Sequence, residues 1–157
     1  MPDIDTGLEG VVVGSTAISH VEGELGRLSY RGYEIADLAE RSFLQVVWLL
    51  LFDAIPSAQQ EQQLAQFLAA HRSLSENEQA LLAAIPAGTH PMLMLQGMVP
   101  LLELQPRETL ALPTNAPDAL EGLIIAARLP LLIASYYRRE QDLSWPLNSH
   151  ASEPHRA

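Results

Sequence analysis

Five histidines, His20, His71, His90, His150 and His155, are the residues around which a catalytic or metal-binding group would have to be built. Imidazole titrates near neutral pH and also ligates metals, so two of them one helical turn apart, or one beside a carboxylate, can hold zinc or move a proton. No two stand at i, i+4, and His-Glu-x-x-His does not occur. His20 falls in a strand-like stretch, His71 near a predicted helix end, His90 at a helix start, and His150 and His155 in a polar tail. Each is therefore expected to be structural or solvated rather than a ligand. The chain has no cysteine, which excludes disulfides, thiolate metal sites and cysteine nucleophiles. A serine nucleophile would need a Gly-x-Ser-x-Gly elbow and a phosphate cradle would need bunched glycines before a helix, and neither is present; "GVVVGS" is too sparse. Residue by residue, no catalytic, cofactor-binding or metal-binding group can be assigned.

The charge balance narrows the partners. Nine arginines and no lysine stand against nineteen acidic residues, a formal net charge of −10. Nucleic acid is disfavoured, because displacing counterions from a polyanion takes clustered cations and these arginines are scattered. The densest pair, Arg138-Arg139, reads as cations near a helix C-terminus. "MPDIDTGLEG" lacks the basic, apolar and small-residue pattern of a secretory leader, "VVWLLLF" at 46–52 is too short to span a bilayer, and "GLIIAARLPLLIA" at 122–134 is interrupted by Arg128 and Pro130. The expectation is a soluble, cytoplasmic chain without a membrane partner.

Elements that would position any site follow from periodicity. "GVVV", "TAISHV" and "RLSYR" read as short strands of a hairpin over 10–31, with "EGELG" as a glycine-containing turn. Helices follow over about 34–141. Ile35, Leu38 and Ala39 share one face of the first. Ser42 then caps "FLQVVWLLLF", which is apolar nearly all round, is expected to be buried, and is expected to stop at Pro56. Ser57 with Gln60, and Ser75 with Glu78, form capping-box patterns opening helices 58–72 and 76–85. Pro91 suits a first helical turn, and the helix should reach Leu104 with a kink or break at Pro100. After a proline-punctuated loop at 105–117, the longest helix runs from Asp118 to about Gln141, bent near Pro130. Its apolar set is Leu120, Leu123, Ile124, Ala127, Leu131, Ile133, Ala134 and Tyr137.

Taken in order, "GLEGVVVGSTAISHVEGELGRLSYRGYEIADLAERSFLQVVWLLLFDAIPSAQQ" (7–60), "AGTHPMLML" (87–95) and "LIIAARLPLLIASYYRRE" (123–140) resemble the N-terminal part of citrate synthases. The resemblance implies a mainly α fold: a multi-helix portion of that family's large domain, with a small N-terminal β-hairpin, over residues 1–148, followed by a polar tail, 149–157. It also implies acetyl-CoA as a substrate, condensed with oxaloacetate to citrate, with no tightly bound cofactor. The 2-methylcitrate synthases, differing in acyl-CoA, are the alternative within the enzyme class. The family's carboxylate base, histidines and arginines lie in the second half of a longer chain, so no catalytic residue carries over, and the chain is expected to be truncated before them and inactive alone. Arg31 is expected to anchor the hairpin to the helical body. By the same resemblance the helices near 91–104 and 118–141 belong to a dimer interface; Leu123 and Ala127 on the second of them are expected either in that seam or in the chain's own core. The two helices would make a homo-oligomer or a mixed dimer with a full-length citrate synthase, or serve a non-catalytic interaction protein.

Overall fold

The computed structural model describes residues 14–105 and 117–143. The chain divides into two compact units, Met1–Pro56 and Ser57–Ala157.

In the first unit, β1 (Ser19–Glu22), β2 (Arg27–Tyr30) and β3 (Tyr33–Glu34) form an antiparallel sheet in the order β1-β2-β3. Val21 pairs with Leu28 and Glu22 with Arg27. The expected turn is a single 3-10 turn, Gly23–Leu25, closed by Gly26 at φ 63°. "GVVV" at 10–13 lies outside the described residues. The second hairpin was not expected: Glu34 read as the start of a helix, but Arg31 and Gly32 take φ of 48° and 82°, and this tight reversal folds Tyr33 back onto Tyr30. Positive φ at both central residues suits a two-residue hairpin, because its twist matches that of the strands. Arginine at φ > 0 is disfavoured. The position is held because the Arg31 guanidinium donates through Nη2 and Nε to the Leu50 carbonyl at 2.9 and 3.3 Å, and its backbone N–H donates to Ile18 O. Arg31 is thus the expected anchor.

Short helix α1 (Ile35–Ala39) packs on β2 and β3. In α2 (Phe43–Phe52) the Ser42 hydroxyl accepts from the Gln45 N–H at 3.1 Å. Two expectations fail here. The helix ends at Phe52, because Asp53 adopts φ 59° and closes the last turn, three residues before Pro56. Nor is it covered all round: Trp48 and Leu49 are buried, whereas Phe43 is 73% exposed and Leu51 is also exposed.

In the second unit both capping boxes form, opening α3 (Ala58–His71) and α4 (Glu76–Ala84). Helix α5 (Pro91–Met98) starts with its proline where the missing N–H costs nothing. It tightens into a 3-10 turn over Val99–Leu101, so the expected break falls at Pro100. Helix α6 (Pro117–Glu140) runs without interruption through Pro130. Pro130 and Ala126, whose carbonyl loses its partner there, are both on the exposed side of α6. Leu74, Leu82, Met94, Met98, Leu102, Leu132 and Tyr136 form one cluster of the core, from α4, α5, α6 and the segments flanking them, and α3 adds buried Leu64, Phe67 and Leu68.

The buried stripe of α6 differs from the expected one. Leu123, Ile124 and Ala127 are buried, but the stripe continues through Arg128, Leu132, Ser135 and Tyr136, while Ile133 and Tyr137 are 50% and 62% exposed. Arg128, Ser135 and Arg139 lie seven and then four residues apart, one line along the helix. Arg128 and Arg139 reach α4 near its two ends: Arg128 Nη1 donates to Glu78 Oε1 at 2.5 Å, and Arg139 Nη1 donates to the Leu82 carbonyl. By length and composition Asp118–Glu140 would suffice to cross a membrane. Here its middle carries a buried arginine paired with a buried glutamate. Between the two arginines, Ser135 Oγ is buried with no hydrogen-bond partner among the described residues. Ser135→Ala removes a desolvated hydroxyl that gains nothing in return, and should leave stability unchanged or raise it by up to about 1 kcal/mol. Denaturant unfolding checks this; a loss above about 1 kcal/mol would show that the hydroxyl is bonded.

Candidate functional site

The turn before α5 and the last turns of α6 enclose an open groove of about 430 Å³, lined by Thr89, His90, Met94, Ile133, Tyr136 and Glu140 among others. Sequence-local rules build its mouth. Gly88 takes φ 74°, which lets the chain reverse after α4, and Thr89 closes the turn by donating its hydroxyl to Pro86 O at 2.7 Å. His90 then caps α5: its Nδ1 accepts from the Met92 N–H at 3.2 Å. From α6, the Tyr136 hydroxyl donates to the Thr89 carbonyl and Glu140 Oε2 accepts from the Gly88 N–H at 2.7 Å. The Gly88 N–H first, and the Arg139 guanidinium at 3.0 Å second, hold the Glu140 carboxyl below the usual carboxylate range.

Beside the groove the surface is apolar. Met92, Leu93, Leu101, Ile133 and Tyr137 are all at least half exposed, and they come from α5, the 3-10 turn after it and α6. Between α4 and α6 lies a buried ion pair. Glu78 Oε1 accepts from Arg128 Nη1 and from the Glu103 N–H at 2.8 Å, and Oε2 accepts from the Ser75 N–H at 2.7 Å. Arg128 Nη1 also donates to Glu103 O at 2.7 Å. Both side chains are 1% exposed.

The histidines are dispersed. His20 lies exposed on β1, with Nε2 3.4 Å from Glu22. His71 is buried at the end of α3, its Nδ1 2.7 Å from Phe67 O and its ring against Phe67. His90 shares the groove with Glu140, and among the described residues no other histidine lines it. His150 and His155 lie outside the described residues. No group of three His, Cys, Asp or Glu among the described residues is placed to hold a metal ion. Leu123 and Ala127, expected in the seam or in the core, are buried within the chain itself, at 2% and 7% exposure, while Leu93, Ile133 and Tyr137 of the same two helices are at least half exposed. Sequence reading missed the Glu78–Arg128 pair, taking one as a cap and the other as a break in an apolar run. The signal was there: an arginine inside "GLIIAARLPLLIA" has to find an acceptor in the interior.

The family model for the citrate synthase C-terminal domain matches residues 7–156. The chain belongs to the citrate synthase family. It is 38% identical over 154 residues to a citrate synthase of Mycolicibacterium smegmatis, covering 96% of this chain and 40% of that protein. A 2-methylcitrate synthase of Mycobacterium tuberculosis is 34% identical over 151 residues, with 96% and 37% covered. Among solved structures, citrate synthase from Pyrobaculum aerophilum superposes with a TM-score of 0.75 at 26% identity, over 90% of this chain and 37% of that one. The chain therefore spans about two-fifths of the length of the family members it matches. Its helices with a small sheet agree with the mainly α fold expected from the family resemblance.

Proposed function

We propose that these 157 residues serve citrate synthase chemistry, the condensation of acetyl-CoA with oxaloacetate, as a pairing scaffold, and do not carry out the reaction alone. The observation that carries this is the exposure of Met92, Leu93, Leu101, Ile133 and Tyr137 on α5, the 3-10 turn after it and α6. That surface is self-complementary in kind, and a two-fold contact places one patch against its own copy, either in a homo-oligomer or in a mixed dimer with a full-length citrate synthase. Enolisation of a thioester needs a carboxylate base, donors for the enolate oxygen and cations for the dicarboxylate, arranged around one substrate. In the groove Glu140 is already engaged by Gly88 and Arg139, which suits it to holding the turn rather than abstracting a proton.

Thiol release from acetyl-CoA and from propionyl-CoA, each with oxaloacetate, tests the reading. The chain alone should give none above the uncatalysed rate with either. Turnover with propionyl-CoA would favour the 2-methylcitrate reaction, and turnover with either that is lost in Glu140→Gln would place catalysis in the groove.

A further inference from the structure

Three side-chain contacts pin the residues at the mouth of the groove: Glu140 to the Gly88 N–H, Tyr136 to the Thr89 carbonyl, and His90 Nδ1 to the Met92 N–H. The last contact fixes the chemistry of His90. An Nδ1 that accepts a hydrogen bond carries no hydrogen, so the imidazole is neutral with its hydrogen on Nε2. A proton on Nδ1 would set donor against donor and put a positive charge at the positive end of α5. Serine caps do not titrate, and this chain uses Ser42, Ser57 and Ser75 for α2, α3 and α4. Among these side-chain caps, only that of α5 can be cancelled by a proton.

Tyr136, Tyr137 and Glu140 are the titratable groups that α6 brings to the groove beside His90. Helix α4 brings none to it, and the 3-10 turn Val99–Leu101 contains none. Glu140 is thus the carboxylate toward which an imidazolium would turn. We propose that the 86–90 turn is an acid-released clasp: a proton on His90 Nδ1 cancels the cap of α5 and turns the ring toward Glu140, and a second proton, on Glu140, frees Gly88, with Thr89 kept on Tyr136 as the fixed point. The folded Glu140 carboxyl lies below its ordinary range, so its hold on Gly88 is complete above that range and is lost as pH falls through the lowered value.

Hydrogen exchange of the full chain, read by mass spectrometry on peptides covering 88–95 and corrected for the intrinsic pH dependence of exchange, tests this. Protection of the first turn of α5 should fall about fivefold from about pH 7.5 to about pH 5.5, the worth of one cap. His90→Asn supplies a neutral cap, so its protection should be flat over that range, with helical circular dichroism confirming that it folds. In Glu140→Gln an amide oxygen can still accept from Gly88, so the Gly88 release at lower pH should disappear. Equal pH dependence in His90→Asn and the unaltered chain overturns the proposal, as does unchanged protection of the unaltered chain down to about pH 5.5.

Discussion

Arg128→Met alone should cost the chain about 3–5 kcal/mol, enough to leave a domain of ordinary stability largely unfolded. The reason lies in what remains. Glu78 is 1% exposed and keeps the Ser75 and Glu103 N–H groups, but loses its cation, and an uncompensated carboxylate in the interior is far costlier than the pair was worth. Glu78→Gln made in the same chain removes the stranded charge while leaving an amide oxygen for one of those N–H groups. The double variant should therefore recover at least about half of the loss, a coupling of roughly 2 kcal/mol in a double-mutant cycle followed by urea unfolding. Additive costs would mean that the two side chains act separately, and the reading of this pair as the anchor between α4 and α6 would fall.

Leu93→Asp together with Ile133→Asp should abolish pairing while leaving the helices intact. Both residues are at least half exposed in the chain, so a carboxylate there stays hydrated in the monomer and becomes desolvated only when a partner covers it. At the centre of an interface each such change should weaken association at least about thirtyfold. Leu123→Asp and Ala127→Asp should behave differently, because both sites are inside the chain: helicity itself should fall. Sedimentation or light scattering across a dilution series, with circular dichroism on the same samples, separates the two outcomes. If the Leu93/Ile133 variant associates as strongly as the unaltered chain, the α5–α6 surface is not where partners meet.

What sequence reading recovered, it recovered from local chemistry. Ser42, Ser57, Ser75 and Pro91 announce helix starts because an N-terminal turn has orphan N–H groups that only its neighbours in sequence can satisfy, and all four helices begin where those residues predict. Pro100 likewise ends regular helix where its missing donor requires. The misses share a different cause. β3 depends on Arg31 accepting a left-handed conformation, which is held by a carbonyl nineteen residues away. The phase of α6 was misjudged because its buried line contains Arg128 and Ser135, while apolar Ile133 and Tyr137 face outward. Periodicity assumes that what is greasy is inside, and it fails where the interior is polar and apolar side chains stay exposed. The groove was invisible for a similar reason: Gly88, Thr89 and His90 meet Tyr136 and Glu140 across nearly fifty residues of chain.

The Glu78–Arg128 ion pair also sets an order in time. Glu78 and Arg128 are fifty residues apart, and the Glu103 backbone that both of them bind is twenty-five residues from each. During synthesis at about 5–20 residues per second, several seconds separate the emergence of α4 from that of Arg128. Throughout that interval, condensing α3, α4 and α5 would trap a carboxylate in an apolar interior with no counterion, so the nascent segment does better to stay open. The arginine in the middle of α6 thus works as a completion signal: this unit has reason to close only when the ribosome has delivered the helix that closes it.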